Sequence, residues 1–159
     1  MPTSTVGVDT SRTYTTVASL PFSLGTVVPN KDGSKAYRLV QMTVGAAVAG
    51  DMLAFSAAGL LDRSIVIAGT TDAAAAGMAT VAIAQNSYGW IQVRGANDVA
   101  MVTDTNVVAG NNCSLTTNND IKPATEAELV NDSVIGTALA TDTGTALAIG
   151  EFMLLCPVV

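Results

Sequence analysis

The chain of 159 residues contains no histidine. That absence removes the commonest general base, the Ser-His-Asp arrangement and the usual imidazole ligands of zinc and haem. Charge is scarce too, with 7 Lys and Arg against 13 Asp and Glu. The basic residues form no run and the net charge is −6, so nucleic acid is not an expected partner. Surfaces that stay soluble alone usually carry about 25–35% charged residues. This chain holds 13% overall, which suits a surface largely covered by other chains.

Long hydrophobic runs are also lacking. The best membrane candidate, residues 64–84, is broken by Asp72, two Gly and several Thr, so no span is expected. The first residues, "MPTSTVGVDTS", have neither a basic nor an apolar leader region, so no signal peptide is expected. The sequons at 112–114 and 131–133 then read as chance matches. Cys113 and Cys156 form no C-x-x-C and sit among apolar neighbours, the pattern of free buried thiols.

What is present is small and apolar. Half of the residues are hydrophobic, yet aromatics reach only 4%, and the bulk is Ala, Val and Leu with much Gly and Thr. Thr and Val favour pleated strands. The segment "LPFSLGTVVPNKDGSKAYRLVQMTV" reads as strand, turn, strand, with Asn30 to Gly33 as the turn. Val40, Met42 and Val44 alternate with Leu39, Gln41 and Thr43 along the second strand. Short runs follow at "MLAFS", "SIVIA", "ATVAIA", "GWIQV", "VAMVT", "SVIGTALA" and "EFMLLC", parted by Gly-, Asn- or Asp-rich turns. This spacing predicts a mainly β fold: a small barrel or sandwich of short, largely antiparallel strands. Two short helices compete with irregular loops, at "TTDAAAAG" with Gly77 as its stop and at "TEAELVN" with capping-box spacing. Residues 1–19 read as an extended N-terminal arm and 20–159 as a single β domain. The arm is either frayed or ordered on a neighbouring subunit.

The sequence echoes itself. "VAGDMLAF" (48–55), "VAGNNCSL" (108–115) and "AIGEFMLL" (148–155) each place Gly before a carboxylate or amide and then strand residues. That is the chemistry of a tight turn opening a strand. "GMATVAIA" (77–84) pairs with "VIGTALA" (134–140), where small residues alternate with apolar ones as close layer crossing demands. The echoes fit one barrel with two related halves.

Chemistry-bearing constellations do not emerge. Asp98 and Asp104, or Glu126 and Glu128, lack a partner base and read as solvated turn residues. The Asp/Asn-rich stretch 104–120 lacks calcium-loop spacing and its closing Glu. No catalytic residue, cofactor, metal or small-molecule substrate is expected.

The lone tryptophan poses the sharper question. In "SYGWIQVRGANDVAMV" strand alternation puts Gly89, Ile91, Val93 and Gly95 on one face and Tyr88, Trp90, Gln92 and Arg94 on the other. Trp90 and Arg94 would lie about 13 Å apart, beyond cation–π reach. Trp90 therefore packs under a loop or arm of its own chain, lines a subunit interface with Tyr88 and Arg94, or stacks a small ligand. The interface also explains the missing charge, and Thr3, Val6, Val8, Tyr14 and Val17 of the arm are its expected companions.

In order and texture, "LGTVVPNKDGSKAYRLVQ", "VAGDML", "GMATVAIAQNSYGWIQVRG" and "VIGTALA" resemble the decoration, or cement, proteins of tailed-bacteriophage heads. The resemblance implies a β-rich homotrimer on the outer capsid surface, with the major capsid protein and itself as partners. The alternative is a head-fibre or receptor-binding module; an enzyme would need a carboxylate pair in a cleft.

Overall fold

A computed structural model describes residues 8–55, 63–66, 75–102, 107–115, 121–124, 136–139, 141 and 148–155. Among them the fold is mainly β and largely antiparallel, with one 3-10 turn at Val17–Ser19. The strands are β1 (Val27–Pro29), β2 (Ala36–Val44), β3 (Met52–Phe55), β4 (Arg63–Val66), β5 (Ala75–Ala79), β6 (Tyr88–Val102), β7 (Asn112–Leu115), β8 (Ile121–Pro123), β9 (Gly136–Ala138) and β10 (Ala148–Leu155).

The Asn30–Gly33 turn forms as its residues dictate. Gly33 adopts φ +74°, its N–H donates to Asn30 O, and Asp32 Oδ1 accepts from Ser34 N–H and Oγ. Those donors hold the Asp32 carboxyl below its ordinary pKa. The turn joins β1 to β2 in antiparallel register, Val28 opposite Tyr37.

The pairings return on themselves twice. β2 runs parallel to β4; β4 pairs with β3, β3 with β5, β5 with β6, and β6 with β2, all antiparallel. The second circuit repeats this step for step. β6 runs parallel to β8; β8 pairs with β7, β7 with β9, β9 with β10, and β10 with β6, again antiparallel. The 15-residue β6 is thus the last strand of one unit and the first of the next. The two related halves expected from the echoes take the form of two circuits sharing a strand, and one buried cluster draws on both, Val107, Cys113 and Ala138 joining Met42 and Ile91.

The echoed sequences occupy equivalent places. Gly77 lies opposite Leu53 in the first unit, and Gly136 opposite Cys113 in the second. Gly50 N–H donates to Ala79 O and Gly110 N–H to Ala138 O, each at 2.8 Å. The return bonds, Ala79 N–H to Asp51 O and Ala138 N–H to Asn111 O, match too. The third echo fails: residues 148–155 are β10 itself, with a bulge between Gly150 and Phe152.

Other expectations change for packing reasons. Gly77 does not stop a helix; it lies inside β5, and a Cβ there would meet Gln92 O at 2.6 Å and the Ile91 and Val93 side chains. Close approach to β6 overrides the helical preference of Ala75 and Ala76, while residues 70–74 of that stretch lie outside the described residues. "ATVAIA" leaves the ladder after Ala79, returning only as an isolated Ala47–Ile83 bridge. "GWIQV" and "VAMVT" are one strand, because "RGAND" continues β6 instead of turning. Asp98 accordingly sits within that strand. The "TEAELVN" segment, Asp104, Glu126, Glu128 and Cys156 lie outside the described residues.

The core of the first unit gathers Val40, Met42, Met52, Leu53, Met78, Ile83, Ile91 and Val93, all without solvent exposure. Ala54, Ala76 and Ala79 fill the gaps, which explains how so few aromatics suffice. No helix among the described residues is long and apolar enough to cross a membrane.

Candidate interaction surface

β6 divides its side chains as alternation requires. Ile91 and Val93 enter the first core, whereas Tyr88 and Trp90 join Tyr14 and Leu39 in a second cluster. Val8, Leu20, Phe22, Leu24, Val28 and Tyr37 pack against that cluster. The N-terminal segment therefore covers the tryptophan from within the same chain.

The cover is held by few directed bonds. Tyr14 N–H donates to Tyr88 O at 2.9 Å and Tyr88 N–H to Tyr14 O at 2.8 Å, forming an isolated bridge. Phe22 meets Trp90 edge to face, ring centroids 5.9 Å apart at 76°. Arg12 lies over the Tyr14 ring at 5.3 Å, a cation–π contact. Trp90 Nε1 is buried with no hydrogen-bond acceptor. The contact is therefore mainly apolar packing.

These placements correct the expected interface. Trp90 is 0% exposed and Tyr88 nearly so, so neither offers a face to a partner; Tyr14 is buried beside them and Val8 is half-buried. Between the readings of Trp90, cover by its own arm is the one that the packing supports. Within residues 8–19 the arm meets this cluster through Val8 and Tyr14, whereas Val17 is exposed. Arg94 and Val17 do stand at the surface, Arg94 donating to Gly33 O at 3.4 Å. Thr3 and Val6 lie outside the described residues. Val48, Val108 and Leu139 are further exposed large apolar side chains that the sequence reading did not single out.

Where β6 passes from one unit to the next, a buried amide pair organises the backbone. Gln92 Nε2 donates to the carbonyls of Arg94, Gly95 and Ala96, at 3.2, 3.0 and 2.9 Å. Asn97 Nδ2 donates to Gln92 Oε1 at 3.0 Å. Gly95 takes φ +97°, and a Cβ there would lie 2.2 Å from Ser34 O. The side chains expected on an outward polar stripe thus include one, Gln92, that serves the strand's own bend.

Among the described residues, Cys113 is the one thiol. Among the described residues no cluster of three or more His, Cys, Asp or Glu could hold a metal ion. Burial pushes the Cys113 thiol up to about 11, and the thiol donates to Asn111 O at 3.5 Å. At neutral pH it is a protonated, enclosed thiol rather than a nucleophile.

No known family and no curated protein matches the sequence. Among solved structures, the fold is similar to the head fiber gp8.5 N base of bacteriophage phi29, with a TM-score of 0.53 and 10% identity. The match covers 81% of this chain and 94% of that one. At such identity the likeness concerns the fold.

Proposed function

We propose that this chain is a non-enzymatic structural protein of a tailed-bacteriophage virion, bound to the outer face of the head and stabilising it. The observation that carries the reading is the fold likeness to a phage head fiber base, which spans nearly all of that domain. The acidic balance, the scarcity of charge and the absence of histidine support the same reading. Its partners are the major capsid protein and further copies of itself as a homotrimer. A trimer engaging several shell sites gains avidity without strong single contacts. Ligand that binds only the closed shell at about 100 times its Kd adds roughly 2.7 kcal/mol against opening.

Heads purified without the protein, then mixed with it, test the reading. Genome release is expected at a higher temperature after addition. Equal release temperatures together with no bound density on the heads would overturn it.

The solved neighbour favours a second reading, in which the domain is the base of a head fibre. There the protein binds heads equally well, but its removal abolishes attachment to host surfaces and leaves the release temperature unchanged. Comparing those two losses separates a cement from a fibre base.

A further inference from the structure

The two units present the same exposed turn. In the first, Asp51 N–H donates to Val48 O, Gly50 takes φ +96°, and Val48 N–H donates to Asp51 Oδ2 at 2.9 Å. In the second, Asn111 N–H donates to Val108 O, Gly110 takes φ +89°, and Val108 N–H donates to Asn111 Oδ1 at 2.9 Å. Each turn is anchored by a buried small residue before it, Ala47 or Val107. Each is clamped to the strand of its own unit through Ala79 or Ala138.

Both turns raise an apolar tip. Val48 is 54% exposed and Val108 50%, each followed by an exposed Ala. The strand residues just beyond have diverged, Met52 and Leu53 in one unit standing where Asn112 and Cys113 stand in the other. Yet the exposed Val-Ala-Gly of the tips is the same in both. The hydrogen bonds of the turn do not require Val, which is about half exposed at both positions; the turn needs the Gly and the Asp or Asn. The side-chain clamp fixes each tip before any contact, so little ordering is lost on binding.

We infer that Val48 and Val108 form a duplicated docking element for two neighbouring copies of one shell subunit. The inference rests on the head-surface reading and deepens it. Two like tips carried by equivalent units suit a partner that repeats its own apolar recess, as a lattice does. A single non-repeating partner would match one tip and leave the other wet. The exposed Val-Ala-Gly of each tip is uncharged, and the carboxylate of Asp51 has only the neutral amide of Asn111 as its counterpart, so the two tips share no charge. The matching recess is therefore apolar rather than basic.

The experiment measures co-sedimentation of the full chain with heads that lack it, for the wild type, Val48→Asp, Val108→Asp and the double variant. Lys31→Asp, on the β1–β2 turn, adds a carboxylate away from both tips. Because the tips are exposed, circular dichroism and melting temperature are expected to match the wild type. Each single tip variant is expected to bind about tenfold more weakly, the double about a hundredfold, and Lys31→Asp unchanged, the scale of losing one buried valine. If wild-type protein binds heads and the tip variants bind equally well, or only one tip matters, the docking element is overturned while the head-surface reading stands. If the tip variants alter the mass of free protein in sedimentation instead, the tips meet copies of this chain, and the inference also fails. If the wild type itself does not bind heads, the underlying reading is what falls.

Discussion

Gly95 and Trp90 show how single residues on one strand carry separate loads. Gly95 needs its positive φ and its missing Cβ because Ser34 O lies where that atom would be. Gly95→Ala is therefore expected to cost about 3 kcal/mol or more in urea unfolding, from strain and displaced backbone together. Trp90 is fully buried, but its Nε1–H lacks an acceptor. Trp90→Ala should cost about 3–5 kcal/mol, the range for deleting a large core side chain. Trp90→Phe should cost clearly less, since it keeps ring packing and removes an orphaned donor. Cys113 supplies a pH dependence. Its thiol is raised in the folded state, so the folded chain holds its proton more tightly and stability falls as pH rises from about 9 toward about 11. In a Cys156→Ala variant at pH 8, a disulfide reagent should label Cys113 only as fast as the protein unfolds. Labelling at the rate of a free thiol would contradict the burial.

At the scale of elements, the N-terminal segment and β6 explain each other. The side of β6 bearing Trp90 would be an open apolar face without Tyr14, Leu20, Phe22 and Leu24. Removing residues 1–24 is expected to shift the emission of the single tryptophan to the red and to open it to iodide quenching, each followed by fluorescence. Unchanged emission would mean that the segment is not its cover. The sidedness of this strand was legible in the sequence, because alternation alone separates Ile91 and Val93 from Tyr88 and Trp90. What lies over the second face was not legible: an aromatic stripe looks the same whether its own chain or another covers it. The strand's length was hidden too. "RGAND" has the residues of a turn, and only the Gln92 and Asn97 amides, placed by the fold, satisfy a bent backbone that runs straight through it. The Ala-rich start of β5 failed for a related reason, since local helix preference is weaker than packing against β6.

For the whole molecule, the shared strand makes the two units one cooperative body. Trp90 reports on the first unit, whereas far-UV circular dichroism reports on the strands of both. The two signals are expected to trace a single coincident transition in urea. Separate midpoints would show that the second unit melts alone. The duplication itself was half legible. Two of the three echoed stretches mark equivalent turns and strands, but the repeated step order follows from pairings between distant strands that no local pattern encodes. The exposed valines of those turns were visible as letters and not as surface, because exposure depends on which neighbours the topology brings near.

A last consequence concerns force. Two units joined by packing alone would part along their interface when pulled. Here a tug that enters one unit leaves through the other along the unbroken covalent backbone of β6. The cross-strand bonds on either side need only keep that backbone from peeling.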